Sequence, residues 1–159
     1  FSLAKDIGVS NREAKHYIES YLAHYSGVDS YMKNVVERAK ADGYVETMFG
    51  RRRNLPELTS SKHMIRAFGE RVARNMPIQG TAADIIKIAM IKVDERMKAE
   101  NLRARLVLQV HDELIVEAPQ DESMRVALIV QEEMENAVKM SVPLTADAAV
   151  GRTWYDAKG

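Results

Sequence analysis

The sequence predicts an α+β fold, helices packed with a small antiparallel sheet, on three observations. Apolar residues recur at helical spacing in two runs before Gly43. A third and longer helical run extends from about Ser61 to Glu100, and two strand-like apolar runs meet at His111-Asp112-Glu113. The expected sheet comprises a hairpin over 105–117 and a last strand over about 144–150.

Ser10 is the expected N-cap of the first run, in which Ala14, Tyr17, Ile18, Tyr21, Leu22 and Tyr25 follow helical spacing until Gly27. Val28, Tyr31, Met32, Val35, Val36 and Ala39 repeat the pattern up to Asp42-Gly43, which predicts two antiparallel packed helices. The tyrosines follow the apolar stripe, and this assigns them to the core and helix faces rather than to base stacking. Tyr44 to Gly50 alternates and is rich in strand formers, so it reads as a short extended piece turning at Gly50. It delivers Arg51, Arg52 and Arg53 in a basic loop.

The long helical run contains Pro77, which removes a backbone donor and predicts a bend. Beyond it, Ile78, Ala82, Ile85, Ile86, Ala89, Met90, Val93 and Met97 form a wide apolar face, expected to pack deeply. Arg71, Asn75 and Gln79 stand four residues apart and rise along one side of the helix. Long polar donors in such a row suit a groove edge that reaches sugars, base edges or phosphates; ordinary solvated polarity explains them equally simply.

In the hairpin, Leu106–Val110 and Leu114–Glu117 are apolar runs closed by Pro119, which leaves His111 and Asp112 at the bend. A carboxylate at a sheet tip, beside an imidazole and the second carboxylate Glu113, is well placed for a divalent metal. Aspartate is also a turn former that needs no function there. Asp121 is the expected cap of a helix running to about Lys139 on Met124, Ala127, Leu128, Met134 and Val138. Pro143 stops it, and Trp154 reads as an anchor against the core.

At 159 residues, 46% hydrophobic and 29% charged, the chain suits one globular domain or two small lobes rather than a disordered segment. The absence of cysteine excludes disulfides and thiolate metal sites. No apolar run approaches the roughly 20 residues of a membrane span and no signal-peptide pattern opens the chain, so a soluble intracellular protein is expected. Opening on Phe1 in structured sequence, it is expected to be a piece of a longer protein. The zero net charge conceals an asymmetry: residues 51–75 carry seven basic side chains against two acidic, and residues 76–159 carry ten against fourteen. A polyanion gripped on one side and cations held on the other would account for this, as would a solvated basic loop.

Arg71-Val72-Ala73-Arg74-Asn75-Met76-Pro77-Ile78-Gln79-Gly80-Thr81-Ala82-Ala83-Asp84, followed by Gln109-Val110-His111-Asp112-Glu113, resembles the C-terminal part of a family A DNA polymerase of the bacterial DNA polymerase I type. Gly43-Tyr44-Val45-Glu46-Thr47, Phe49-Gly50-Arg51-Arg52-Arg53, Val150-Gly151 and Trp154 extend the likeness over essentially the whole chain. The resemblance implies that Asp112 is a carboxylate ligand of catalytic Mg2+, with Glu113 as its acidic neighbour near the metal. It places His111 close to the primer end, gives Gln109 a supporting role, and sets Arg71, Asn75 and Gln79 in the minor groove of the primer-template. For Arg51, Arg52 and Arg53 it implies DNA backbone or structural contacts.

The family's first motif, with the other metal-binding aspartate, has no counterpart in these residues. Nor has the arginine- and lysine-bearing helix that holds the incoming deoxynucleoside triphosphate, of which Phe1-Ser2 resemble the tail. The resemblance thus implies a fingers portion over 1–70 and a palm portion over 71–159, with the thumb and the earlier fingers and palm segments elsewhere in the parent protein. That parent would be a DNA-directed DNA polymerase of replication and repair, in the bacterial cytoplasm at the nucleoid, using two Mg2+ ions about 3.5 to 4 Å apart. These 159 residues alone are expected to be inactive. The rival reading, from another class, is a noncatalytic DNA-binding or scaffold module whose hairpin is purely structural.

Overall fold

Ser10 fixes where the second helix begins. Its hydroxyl accepts the Glu13 N–H at 3.2 Å while the Glu13 carboxylate accepts the Ser10 N–H at 3.0 Å, a reciprocal cap that satisfies two otherwise orphaned donors. In the computed structural model, which describes residues 2–158, this helix is α2 (Asn11–His24), preceded by α1 (Ser2–Asp6) and followed by α3 (Ser26–Asp42). Phe1, expected at the tail of the nucleotide-holding motif, lies outside the described residues. Gly43 ends α3 at φ +79°, a left-handed conformation that a side chain would strain.

Two short strands follow, β1 (Tyr44–Glu46) and β2 (Arg52–Asn54), antiparallel with Val45 opposite Arg53. Arg52 and Arg53, expected in a loop, are therefore in a strand, because the turn is shorter than the basic run. Thr47 organises that turn: its hydroxyl accepts the N–H groups of Phe49 and Arg51, each at 3.2 Å, and Gly50 adopts φ +77°. A 3-10 turn at Pro56–Thr59 leads into α4 (His63–Ala99), a helix continuous through Pro77. The chain divides into two compact units, the division falling between Ile78 and Gln79 inside α4.

In the first unit Val36, Ala39, Val45, Leu55, Leu58 and Ala73 form the core. α4 approaches the 3-10 turn so closely at Gly69 that a Cβ there would stand 3.2 Å from the Leu58 nitrogen. Of the expected core and helix-face positions the tyrosines take the helix faces: Tyr17, Tyr21, Tyr25 and Tyr31 are all about half exposed, and Ala14 is the buried residue of α2. Half exposure suits a residue with an apolar ring and a polar tip, since a phenol buried without a partner is costly. Tyr21 and Tyr25 lie ring to ring at 4.8 Å.

In the second unit α4 ends with Asn101 at φ +55° and the Leu102 N–H bonded to the Met97 carbonyl at 3.0 Å, a Schellman closure. There follow β3 (Arg105–Val110), β4 (Glu113–Glu117), α5 (Ser123–Glu135) and the four-residue α6 (Trp154–Ala157). Val93, Met97, Ala104, Val126 and Ile129 make the core, with Leu106, Leu114 and Val116 of the hairpin packed against it.

Several sequence expectations fail in this unit. The apolar face of α4 is buried only at Ala89, Val93 and Met97, while Ile78 and Ala82 are exposed. Helix α5 stops at Glu135, short of Lys139, and buries Val126 and Ile129; Met124 is 75% and Leu128 45% exposed. Asp121 does not cap it: Asp121 pairs with Arg103, and the Glu122 carboxylate takes the N–H groups of Arg103 and Ala104 at 2.9 and 3.2 Å. Residues 144–150 form no strand. A strand exists only where a neighbour pairs its backbone, and here the Ala146 N–H goes instead to the Glu135 carboxylate at 3.2 Å. No helix among the described residues is long and apolar enough to cross a membrane.

An ionic network joins the end of α4 to α5. Arg96 pairs with Glu132 at 2.7 Å, Glu133 at 2.8 Å and Glu100 at 3.2 Å, and Arg125 holds Glu100 through its Nε at 2.7 Å. The Arg125 hydrogen bonds, then Arg96, hold the Glu100 carboxyl below its ordinary value. A carboxyl depressed in the folded state stabilises it above the unfolded-state pKa and loses that contribution as pH falls through the folded-state value. Thermal stability is therefore expected to fall as pH drops below the usual glutamate range, and to fall less steeply in Arg125→Gln, as melting curves across a pH series would register.

Candidate functional site

β3 and β4 pair antiparallel with Val110 opposite Glu113, leaving His111 and Asp112 as a two-residue bend. Such tight hairpins need left-handed backbone, and His111 supplies it at φ +53°. The side chain of Gln109 donates to the His111 carbonyl and so braces the bend from one strand. Between the pairs Leu106–Val116 and Leu108–Ile115 the register shifts, and Val107 is the extra residue of a bulge, which increases local twist. Val107 is 47% exposed and Val116 is half-buried. The hairpin is apolar on both faces, and only the one bearing Leu106, Leu114 and Val116 packs on the core.

A cavity of about 320 Å³ lies at the tip, between the hairpin and the beginning of this unit's share of α4. Gln79, Lys87, Gln109, His111 and Asp112 supply its polar wall, and Ala82, Ala83 and Ile86 its apolar floor. Four residues named from sequence are thus brought together. Lys87 was not among them; the signal was its place two helical turns after Gln79. Small alanines at 82 and 83 explain why the cavity exists at all, since larger side chains would fill it.

Asp112 is exposed and, among the described residues, its carboxylate makes no hydrogen bond or ion pair. Glu113 differs: Trp154 donates its indole N–H to one oxygen and Lys158 sits beside the other, each at 3.2 Å. Trp154, expected as an anchor in the core, is 42% exposed and anchors on this carboxylate instead. An indole seeks an acceptor for its N–H, and here the acceptor is on the surface.

Magnesium prefers about six oxygens in near-octahedral array. Among the described residues no group of three or more histidine, aspartate or glutamate side chains is arranged to hold a metal ion. One free carboxylate beside one engaged carboxylate falls short of such a set.

The remaining candidates belong to the first unit. Arg71 and Asn75 are exposed and precede Gln79 by two turns and one turn of the same helix, and the Arg71 guanidinium lies 5.9 Å from the Phe68 ring centre. Arg51 and Arg53 are exposed. Arg52 is engaged in the fold, paired with Glu46 at 3.2 Å and 4.4 Å from the centre of the Tyr44 ring.

The family model of DNA polymerase family A matches residues 1–156. DNA polymerase I of Bacillus caldotenax is 52% identical over 158 residues, 99% of this chain and 18% of that protein. DNA polymerase I of Bacillus subtilis is 50% identical over the same share of each. Among solved structures, the POL domain of Pol1 from M. smegmatis, in complex with DNA primer-template and dNTP, superimposes with a TM-score of 0.93 at 46% identity, covering 100% of this chain and 28% of that one. The chain thus spans about a fifth of the length of the relatives it matches.

Proposed function

The chain belongs to DNA polymerase family A, and from that premise we propose that the protein of which it is part performs template-directed DNA synthesis. The observation that carries the reading is the unpaired Asp112 carboxylate, held on a two-residue bend in one cavity with Gln79, Lys87, Gln109 and His111. In this reading residues 1–70 are fingers and 71–159 palm, and Asp112 gives one carboxylate to a magnesium site completed by residues outside this chain. Bound magnesium would supply the positive charge that neutralises the triphosphate during nucleotidyl transfer. Glu113 adds negative charge next to it.

The chain's own contribution is otherwise positional. Gln79 and Gln109 present amide groups at the cavity wall, suited to sugar and base edges in the minor groove near the primer end, and Arg71 and Asn75 of the first unit are further donors for the DNA. His111 lies at the bend, where it would touch the primer terminus, and Lys87 offers a cation to a backbone phosphate. Partners in this reading are primer-template DNA, deoxynucleoside triphosphates and the remaining segments of the same protein, and its place is the bacterial cytoplasm at the nucleoid.

Templated primer extension tests the proposal. The full-length protein should extend a primer with magnesium and nucleotides, while these 159 residues alone should show no incorporation, having one free carboxylate where the chemistry needs several. DNA binding without extension by the full-length protein would favour the noncatalytic scaffold. A finer test separates the arginines. Arg53→Gln in the full-length protein should make the slope of log affinity against log salt shallower by about 0.9, the value for one lost phosphate contact. Arg52→Gln should change it less, because Arg52 is already paired with Glu46.

A further inference from the structure

Both oxygens of the Glu113 carboxylate are taken by the C-terminal helix. The Trp154 indole N–H donates to Oε2 at 3.2 Å, the Lys158 ammonium lies 3.2 Å from Oε1, and the same ammonium sits 4.8 Å from the Trp154 ring centre. A helix of four residues does not persist by itself in water. Here it is fixed by two further features.

Thr153 and Asp156 form a reciprocal cap, with the Asp156 N–H on the Thr153 hydroxyl at 3.2 Å and the Thr153 N–H on the Asp156 carboxylate at 3.0 Å. Beneath them the chain folds so closely over Gly151 that a Cβ there would stand 2.7 Å from the Ala157 nitrogen. A glycine, a cap, an indole and a lysine thus converge on one carboxylate, the one adjoining Asp112.

We propose that α6 is a clamp on Glu113, with Trp154 and Lys158 as positioning residues that withhold its oxygens from a divalent cation held by Asp112. The proposal rests on the reading of Asp112 as a cation ligand. Its physical content is competition: a cation that recruits Glu113 must displace an N–H donor from one oxygen and an ammonium from the other, and meets the repulsion of the Lys158 charge until it does. Both contacts are part-exposed, with Lys158 54% and Glu113 44% exposed at the side chain. Each is therefore weak, and the clamp opens readily. Weakness is what a competitor requires, since a tightly buried pair would never yield Glu113.

The test uses the full-length protein with its tryptophan indoles labelled with nitrogen-15, the Trp154 signal being assigned by its loss in Trp154→Phe. Without any metal, Glu113→Gln should move that indole N–H signal upfield, and Gly151→Ala should move it the same way by displacing α6. An unmoved signal in Glu113→Gln overturns the clamp. Titration with Mn2+, followed by water-proton relaxation, then tests the withholding. The double variant Trp154→Phe/Lys158→Met should bind Mn2+ about two- to fivefold more tightly, as expected for two weak surface contacts removed. That gain should vanish when Glu113→Gln is added. No gain in the double variant, or a gain that survives Glu113→Gln, overturns the proposal. If Asp112→Asn leaves Mn2+ binding unchanged, the reading of Asp112 fails, while the indole signal still reports whether α6 holds Glu113.

Discussion

On the proposed function, Asp112→Asn in the full-length protein should lower templated nucleotide incorporation by at least about a hundredfold, the loss typical when one preorganised charge at a reacting centre is removed. The substitution changes one oxygen for an amide and little else. Asn is as competent a turn residue as Asp, the bend's left-handed residue is His111 and not position 112, and no ion pair or hydrogen bond of the Asp112 side chain is lost among the described residues. Melting temperature and primer-template affinity should therefore stay near those of the parent. Rate and binding would separate, which is the signature of charge acting on the chemical step rather than on assembly. Extension at a comparable rate by the Asn variant would sink the assignment of Asp112 and favour a structural hairpin.

Ile129→Ala should destabilise the second unit by about 2 to 5 kcal/mol, the range for truncating a fully buried aliphatic side chain. Ile129 has no exposed surface, and it belongs to one core cluster with Val93, Met97, Ala104 and Val126, so its truncation leaves a cavity lined by α4 and α5 that cannot fully collapse. Leu128→Ala, one position away and 45% exposed, should cost no more than about 0.5 kcal/mol. Urea unfolding of the two variants gives the comparison directly. Equal losses at 128 and 129 would mean that α5 is rotated from the orientation described.

Much of the fold was legible because it is written in local chemistry. Ser10 with Glu13 announces a helix start, Gly43 a helix stop, and two strand-forming runs around His111-Asp112 a hairpin. These features depend on residues within a few positions of one another. The hairpin tip was legible in the same way: Asp112 is exposed at the bend, and Gln79, Gln109 and His111 line the same cavity. The motif spacing also carried the family, because several long motifs in the right order specify far more than any periodicity.

What the sequence left open concerns partners distant along the chain. Met124, Val126, Ala127, Leu128, Ile129 and Val130 form a nearly continuous apolar run, so periodicity offers α5 more than one inner face, and only its packing on α4 and the hairpin selects Val126 and Ile129. Residues 144–150 have strand composition, yet a strand is a property of two segments, and the described chain pairs no backbone with this one. Trp154 could have anchored in any apolar core; it lies 41 residues from Glu113 in sequence and meets it only because Gly151 lets the tail fold back. The sequence alone located the four longer helices, the hairpin, the aspartate at its bend and the family. The tertiary structure alone decided which faces are buried and that the second carboxylate of the pair is already held, because burial and hydrogen bonding between distant segments depend on where those segments meet in space, which neither propensity nor spacing encodes.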